Sequence, residues 1–463
     1  MIYTFFAFQR YCLGSKSDVS KVIAGMDWQE LYSFASKQAL LGLCFEGIER
    51  LGKEYPEELR LNPIGRELLM TWMGKAQQIR RQNMKVNAVA SKLFSMLRED
   101  GLRCCILKGQ GNALMYPNPY SRTPGDIDVW INASRERIME YAQKKYELGD
   151  DIRLQHLETS LDGVPVELHF FPCSMNNPIY HARLQKWFKR NADLQCSHIV
   201  GLPDGAGDIA IPTTAFNVVY QLTHLYHHFF DEGIGMRQII DYFLVVNDFS
   251  KNVFLDYDFS NHPVPLSKEG STFSPSPSSS GSGDVTAPSR CSEPLRSKDG
   301  GASKPSPDCA GWDRRGVSGD TSSASCSSAS GSSITSVRSA FTTDSSASTA
   351  LVVVQRELKY LGLWKFAGAV MYVLKEVLGL AEDKMIVPMD EKRGRLLLAE
   401  ILDGGNFGRH FTKYAGFTHQ SMGKKYFLKI WRNMHFVRYY PAEALSEPIF
   451  RTWHFFWRVK NKK

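Results

Sequence analysis

Apolar residues recur at spacings of three and four along "DWQELYSFASKQALLGLCFEGIERL" and "AQQIRRQNMKVNAVASKLFSMLRED", with charges between them. Wound into helices, both stretches gather their apolar side chains on one face. Residues 13–100 therefore read as helical, and Gly101 supplies a stop. Beyond it the period shortens to two. "RCCILKG" predicts a short buried strand that includes Cys104 and Cys105, and "DIDVWI" predicts a second. Ser134 can cap a following helix that carries Ile138, Ala142 and Tyr146 on one stripe. "IRLQHLETS" and "PVELHF" predict a hairpin turned at Asp162-Gly163, a strong short turn signal. Helical spacing returns from about residue 178 to 250.

The composition changes abruptly between residues 256 and 350, where "SPSPSSSGSG", "SSASCSSASGSS" and "TTDSSASTA" are rich in serine. Such a stretch buries too little apolar surface to offset its ordering entropy and is expected to be a disordered insertion. Helix resumes at "VVVQRELKYLGLWKFAGAVMYVLKEVL". No internal repeat is found. The expected class is α+β, a small mixed sheet embedded in a mainly helical protein. Its expected parts are a helical region 1–100, an α/β unit 101–175, a helical region 176–255 packing on it, the insertion 256–350, and a helical region 351–463.

At 463 residues, with 43% hydrophobic and 22% charged content, the chain reads as an ordinary globular protein with a sizeable core. A formal charge of +8 suits phosphate-bearing ligands but is too weak to argue nucleic acid. The nine cysteines are scattered with no C-x-x-C, so neither a zinc ribbon nor a disulfide framework is suggested. The first residues lack a basic region and a small-residue cleavage site, so they do not read as a signal peptide. The run 361–380 is broken by Lys365, Lys375 and Glu376 and is too interrupted to span a bilayer. A cytoplasmic location is the expectation. The tail interleaves aromatics with Arg and Lys, as in an amphipathic helix pair packed on the core; contact with a membrane surface or an acidic partner is the alternative.

Two aspartates stand inside the second strand's apolar run. In "PGDIDVW" the period of two puts Ile127, Val129 and Ile131 on one face and Asp126, Asp128 and Trp130 on the other. "VPVELHF" alternates likewise, with Val166, Leu168 and Phe170 opposite Glu167 and His169. If the strands are neighbours, Glu167 joins Asp126 and Asp128. Three carboxylates on one face repel and raise each other's pKa unless a cation lies between them. Two Mg²⁺ ions about 3.5–4 Å apart would turn the cluster into a phosphoryl-transfer site. Upstream, "ILKGQGNALMY" ends a strand at Lys108-Gly109 and turns through Gly111, a geometry that lets backbone N–H groups approach phosphate. Lys108 and Arg122 are candidate phosphate counter-charges. A second D-x-D, Asp256 and Asp258, has no glycine turn before it and reads as solvated loop charge.

The combination resembles the DNA polymerase β-type nucleotidyltransferase superfamily: a glycine turn, then alternating aspartates on a strand, then a third carboxylate on a later strand. It is closer still to a largely uncharacterised bacterial branch, which "ILKGQGNALMYPNPYSRTPGDIDVWI" and "VELHF" match. The resemblance implies a nucleotidyltransferase palm over 101–175. It also implies catalytic, metal-binding roles for Asp126, Asp128 and Glu167. Lys108, Gly109, Gly111, Arg122 and His169 are the nucleotide-binding candidates. Mg²⁺, or Mn²⁺ in its place, is the implied cofactor, and an NTP and an unidentified acceptor are the implied partners. Gln110 replaces the phosphate-contacting serine of many superfamily members. Arg237 and Asp241, four apart, match an Arg and an Asp in similar proteins and read as a helix-surface ion pair.

Three other functions are weighed. A D-x-D glycosyltransferase needs a nucleotide-binding βαβ region before the motif, where this chain reads as helix. A related fold transfers a phospho-alcohol to a surface glycan. A non-catalytic nucleotide-binding or antitoxin-like protein would not need an intact triad. His224, His227, His228 and Asp231 can share a helix face; a zinc site is conceivable there, core or pocket-lining histidines are the plainer reading, and assistance in substrate binding is the third.

Overall fold

The computed structural model describes residues 2–16, 19–146, 153–252, 343–408 and 422–461. Its centre is a mixed sheet of β1 (Cys104–Leu107), β2 (Ile127–Ile131), β3 (His156–Leu161) and β4 (Val164–His169). The strands lie in the order β1-β2-β4-β3. β2 runs antiparallel to β1 and parallel to β4, and β3 and β4 form the hairpin. Its turn residues Asp162 and Gly163 have φ of 50° and 71°, the left-handed backbone that a two-residue hairpin loop requires. Helices make up most of the remainder, so the α+β class holds.

The alternation in β2 and β4 divides the sheet into two faces. Ile127, Val129, Ile131, Val166 and Leu168 join Cys104 and Ile106 in one core. That core packs against the end of the 34-residue helix Arg66–Glu99, through Val86, Ala90, Leu93 and Leu97. Burying each such side chain contributes about 1.5–3 kcal/mol, so a one-residue slip of register would expose the whole set. The opposite face carries Trp130 as well as the carboxylates. Its ring stacks on Phe216 with centroids 6.1 Å apart, and Phe216 stacks on Trp187 at 4.5 Å. The aspartate face is therefore half core and half site.

Several details differ from the pattern reading. The first predicted helical stretch is two helices, Trp28–Lys37 and Leu41–Glu54, parted where Ala39 adopts φ 58°. A helix also occupies Ile2–Cys12. Between the helices Pro178–Ser197 and Thr214–Asp231 lies a second hairpin, β5 (Ile199–Gly201) with β6 (Asp208–Ala210). Strands this short show no readable alternation. The expected insertion lies outside the described residues except at its end, where a helix begins at Thr343 and runs to Tyr360. Asp256 and Asp258 also lie outside them. The described cysteines, Cys12, Cys44, Cys104, Cys105, Cys173 and Cys196, are buried and unbridged. The tail forms helices Met422–Met434 and Pro441–Asn461, and Phe427, Trp431, Ile449 and Phe456 on them are exposed. Among the described residues no helix is long and apolar enough to cross a membrane.

Candidate active site

β1 delivers Lys108 to the site in a conformation few side chains adopt, φ 50° and ψ −133°. Gly109 follows at φ 42° and opens the helix Gly109–Ala113, so the Gly-Gln-Gly segment is the first turn of that helix and not a loop ahead of it. Gly109 lines the cleft described below. Gly111 serves packing: a Cβ there would lie 3.0 Å from Ile211 Cγ2. Gln110 is buried, donates to Asn87 on the long helix and does not line that cleft.

Parallel pairing sets Asp128 directly beside Glu167, and Trp130 beside His169. Asp126 precedes β2. Carboxylate oxygens of Asp126, Asp128 and Glu167 all lie within 4.8 Å of one another, as do ligand atoms of His156, Glu167 and His169. The structure thus brings together the three carboxylates that the alternation singled out, and adds His156.

The uniform rise in carboxylate pKa expected from repulsion does not occur. Asp128 is buried, which alone would favour its neutral form, yet Lys108 Nζ at 3.1 Å and His169 Nε2 at 3.0 Å hold it well below the usual carboxylate range. Glu167 is lowered too: burial opposes its charge, and His169 Nε2 at 3.1 Å outweighs that. Asp126, facing the open cleft, is pushed up to about 6, first by the charge of Asp128 and then by desolvation. His169 answers the same pairing. Its burial disfavours the cation, but donation to Asp128 and Glu167 raises its pKa to about 9. His156 goes the other way, to about 4, through burial and the charge of His169.

Asp126 and Asp128 open onto a cleft lined also by Lys108, Asn112, Gln221, His224, Arg237 and Phe407. Lys108 donates to His224 Nε2 at 3.0 Å. Burial holds His224 well below the usual imidazole range, so its neutral ring can accept. Arg122 reaches the cleft wall, but its guanidinium is engaged with Asp241, Nε to Oδ1 at 2.9 Å and Nη2 to Oδ2 at 2.7 Å. The expected surface pair of Arg237 with Asp241 is therefore corrected. Both residues are buried, Asp241 pairs with Arg122, and Arg237 donates from Nη1 to the Thr123 carbonyl at 3.0 Å.

The loop between Ala113 and β2 is held from several sides. Asn83 donates to the carbonyls of Tyr120 and Arg122, and Thr123 Oγ1 donates to that of Ala39. Asp231 pairs with Lys429 and Arg451, both at 2.9 Å, and the ligand atoms of His224, His227 and His228 do not converge on it. Their rings pack on one another, His224 against His228 at 4.3 Å.

A family model described as "Uncharacterised nucleotidyltransferase" matches residues 24–260, half of the chain. The chain belongs to this family. No curated protein and no solved structure matches it. Membership of the uncharacterised nucleotidyltransferase family makes nucleotidyl transfer the general chemistry and implies a nucleotide substrate. The acidic cluster is compatible with a divalent metal. Phe407 lines the cleft from beyond the matched segment. No periodicity could have signalled it, whereas Arg237 was visible in sequence but assigned to the wrong partner.

Proposed function

We propose that the chain is a divalent-metal-dependent nucleotidyltransferase that moves a nucleoside monophosphate from an NTP to a hydroxyl or phosphate acceptor. The pairing of Asp128 with Glu167 across parallel strands, with Asp126 alongside, carries this reading. The donor set fits Mg²⁺ or Mn²⁺: three hard carboxylates offer oxygens within 4.8 Å of one another. Asp126, Asp128 and Glu167 would hold the ions. Ions bound there supply charge neutralisation at the phosphates and at the attacking oxygen.

The protein's own groups do the positioning. Lys108 keeps Asp128 ionised and presents its ammonium at the cleft where phosphates would lie. Gly109 leaves the backbone open to close approach there. His169 fixes Asp128 and Glu167 through two hydrogen bonds from one nitrogen. Arg122 fixes the loop that leads into β2. The acceptor oxygen attacks the α-phosphorus, the bond to the β-phosphate oxygen breaks, and pyrophosphate leaves. Glu167 helps to remove the acceptor's proton.

The full chain, incubated with each α-labelled NTP, Mg²⁺ and a cell extract as acceptor source, tests this. Label transferred with pyrophosphate release by the wild type, and lost in Asp128→Asn or with chelator, supports the reading. No transfer with any of the four NTPs, or equal transfer by Asp128→Asn, contradicts it.

A further inference from the structure

The cations at the cleft are not equivalent. Lys108 meets Asp128, Arg122 meets Asp241, and His169 meets Asp128 and Glu167. Arg237 has no ion-pair partner among the described residues, although it is only 8% exposed. A guanidinium stays charged at any working pH, so burial cannot neutralise it. An unpaired buried charge is costly unless something else meets it. Among the described residues its Nε has no hydrogen-bond partner.

Two neighbours share that property. Gln238 accepts from the Gly235 N–H through Oε1 at 2.9 Å, and its buried Nε2 is a donor without a partner among the described residues. His224 accepts from Lys108 through Nε2, so its proton sits on Nδ1, also buried and without a partner among the described residues. All three residues line the cleft. Among the cleft-lining residues these are the buried side-chain atoms left unsatisfied, and every one is a donor. A ligand that satisfied them would be rich in acceptors and negatively charged.

We infer that Arg237, with Gln238 and His224, forms a polyphosphate-binding patch that receives the phosphates of the nucleotide, while Arg122 is a structural strut. The inference rests on the nucleotidyl-transfer reading for its ligand, and it moves the phosphate-binding role from the arginine of the loop to that of the helix Met236–Asn252. Phe407 places its ring 5.5 Å from the Arg237 guanidinium carbon. It does so at φ 55°, a backbone that costs a bulky residue energy. A residue from beyond the matched segment thus backs the cation at the cleft.

Titration calorimetry of the full chain with inorganic tripolyphosphate, without divalent metal, tests the patch separately from the chemistry. Wild type is expected to bind. Asp126→Asn should bind at least as tightly, since it removes a negative charge beside the cleft. Arg237→Gln should bind about tenfold more weakly or worse, and Arg237→Lys should fall between, keeping the charge but losing the fork. Absence of binding by the wild type, or equal affinity in Arg237→Gln, would overturn the assignment. So would an Arg237→Gln chain without a cooperative melt, because that side chain is assigned to ligand and not to the fold. Tripolyphosphate binding without labelled product would leave the patch standing and remove the transferase reading.

Discussion

Arg122 and Asp241, distant in sequence, close a two-point ion pair in the protein interior, with contacts of 2.9 and 2.7 Å. The Tyr116 hydroxyl donates to the same carboxylate at 2.8 Å. The pair ties the loop before β2 to the helix Met236–Asn252 and so fixes where Asp126 enters the site. Removing one partner would strand a buried charge, so Arg122→Ala or Asp241→Ala is expected to lose about 3–5 kcal/mol of stability in urea unfolding. Replacing both with apolar residues of similar volume should cost less than the sum of the single changes. Single variants within about 0.5 kcal/mol of wild type would show that the pair is not a strut.

Lys108 holds a left-handed backbone that glycine adopts freely. Lys108→Gly should therefore melt above Lys108→Ala, by about 1 kcal/mol, although both lose the ammonium. Equal melting of the two variants would contradict the strained junction at the end of β1.

The sheet was legible in the sequence because alternation forces it. Ile127, Val129 and Ile131 share a core face with Val166 and Leu168, which leaves Asp128 and Glu167 on the other face; the parallel register of β2 and β4 then sets them side by side. What the pattern could not supply was the partner of each charge. Arg122 and Arg237 are equally basic in sequence, and only the fold decides that one meets Asp241. Alternation implies repulsion among the carboxylates, but it does not show that Lys108 and His169 relieve it for Asp128, and His169 for Glu167, while Asp126 stays raised. The helix Thr214–Asp231 hid His224's contact with Lys108, since helical spacing gives a face and not its neighbour.

Glu443 gives a pH signature away from the site. It is buried, and its carboxylate accepts from the backbone N–H groups of Asn176 and Asn177 at 2.6 and 3.2 Å. Burial outweighs those bonds and pushes it up to about 7. The folded state therefore binds its proton more tightly than the unfolded chain, whose glutamate titrates near about 4.3. The stability it contributes is full below the unfolded value and is lost as pH rises through about 7. The loss amounts to at most about 4 kcal/mol, which Glu443→Gln should largely remove. Parallel stability profiles of wild type and Glu443→Gln between pH 4 and 8 would contradict this.

Without metal, the three carboxylates should respond differently to neutralisation. Asp126→Asn relieves repulsion and is expected to melt at or above wild type at pH 7. Asp128→Asn takes the ion-pair partner from Lys108 and leaves His169 with Glu167 alone, and it should melt lower, by a few kcal/mol. A uniform rise across Asp126→Asn, Asp128→Asn and Glu167→Gln would mean that Lys108 and His169 do not hold the cluster.

Scanning calorimetry of the full chain with and without Mg²⁺ and NTP tests the shared metal–nucleotide site most directly. Ligand at a hundred times its dissociation constant should stabilise the wild type by about 2.7 kcal/mol. Asp126→Asn, Asp128→Asn and Glu167→Gln, each compared with its own ligand-free melt, should gain much less. Equal gains in wild type and all three variants would contradict the assignment of these carboxylates to one metal cluster.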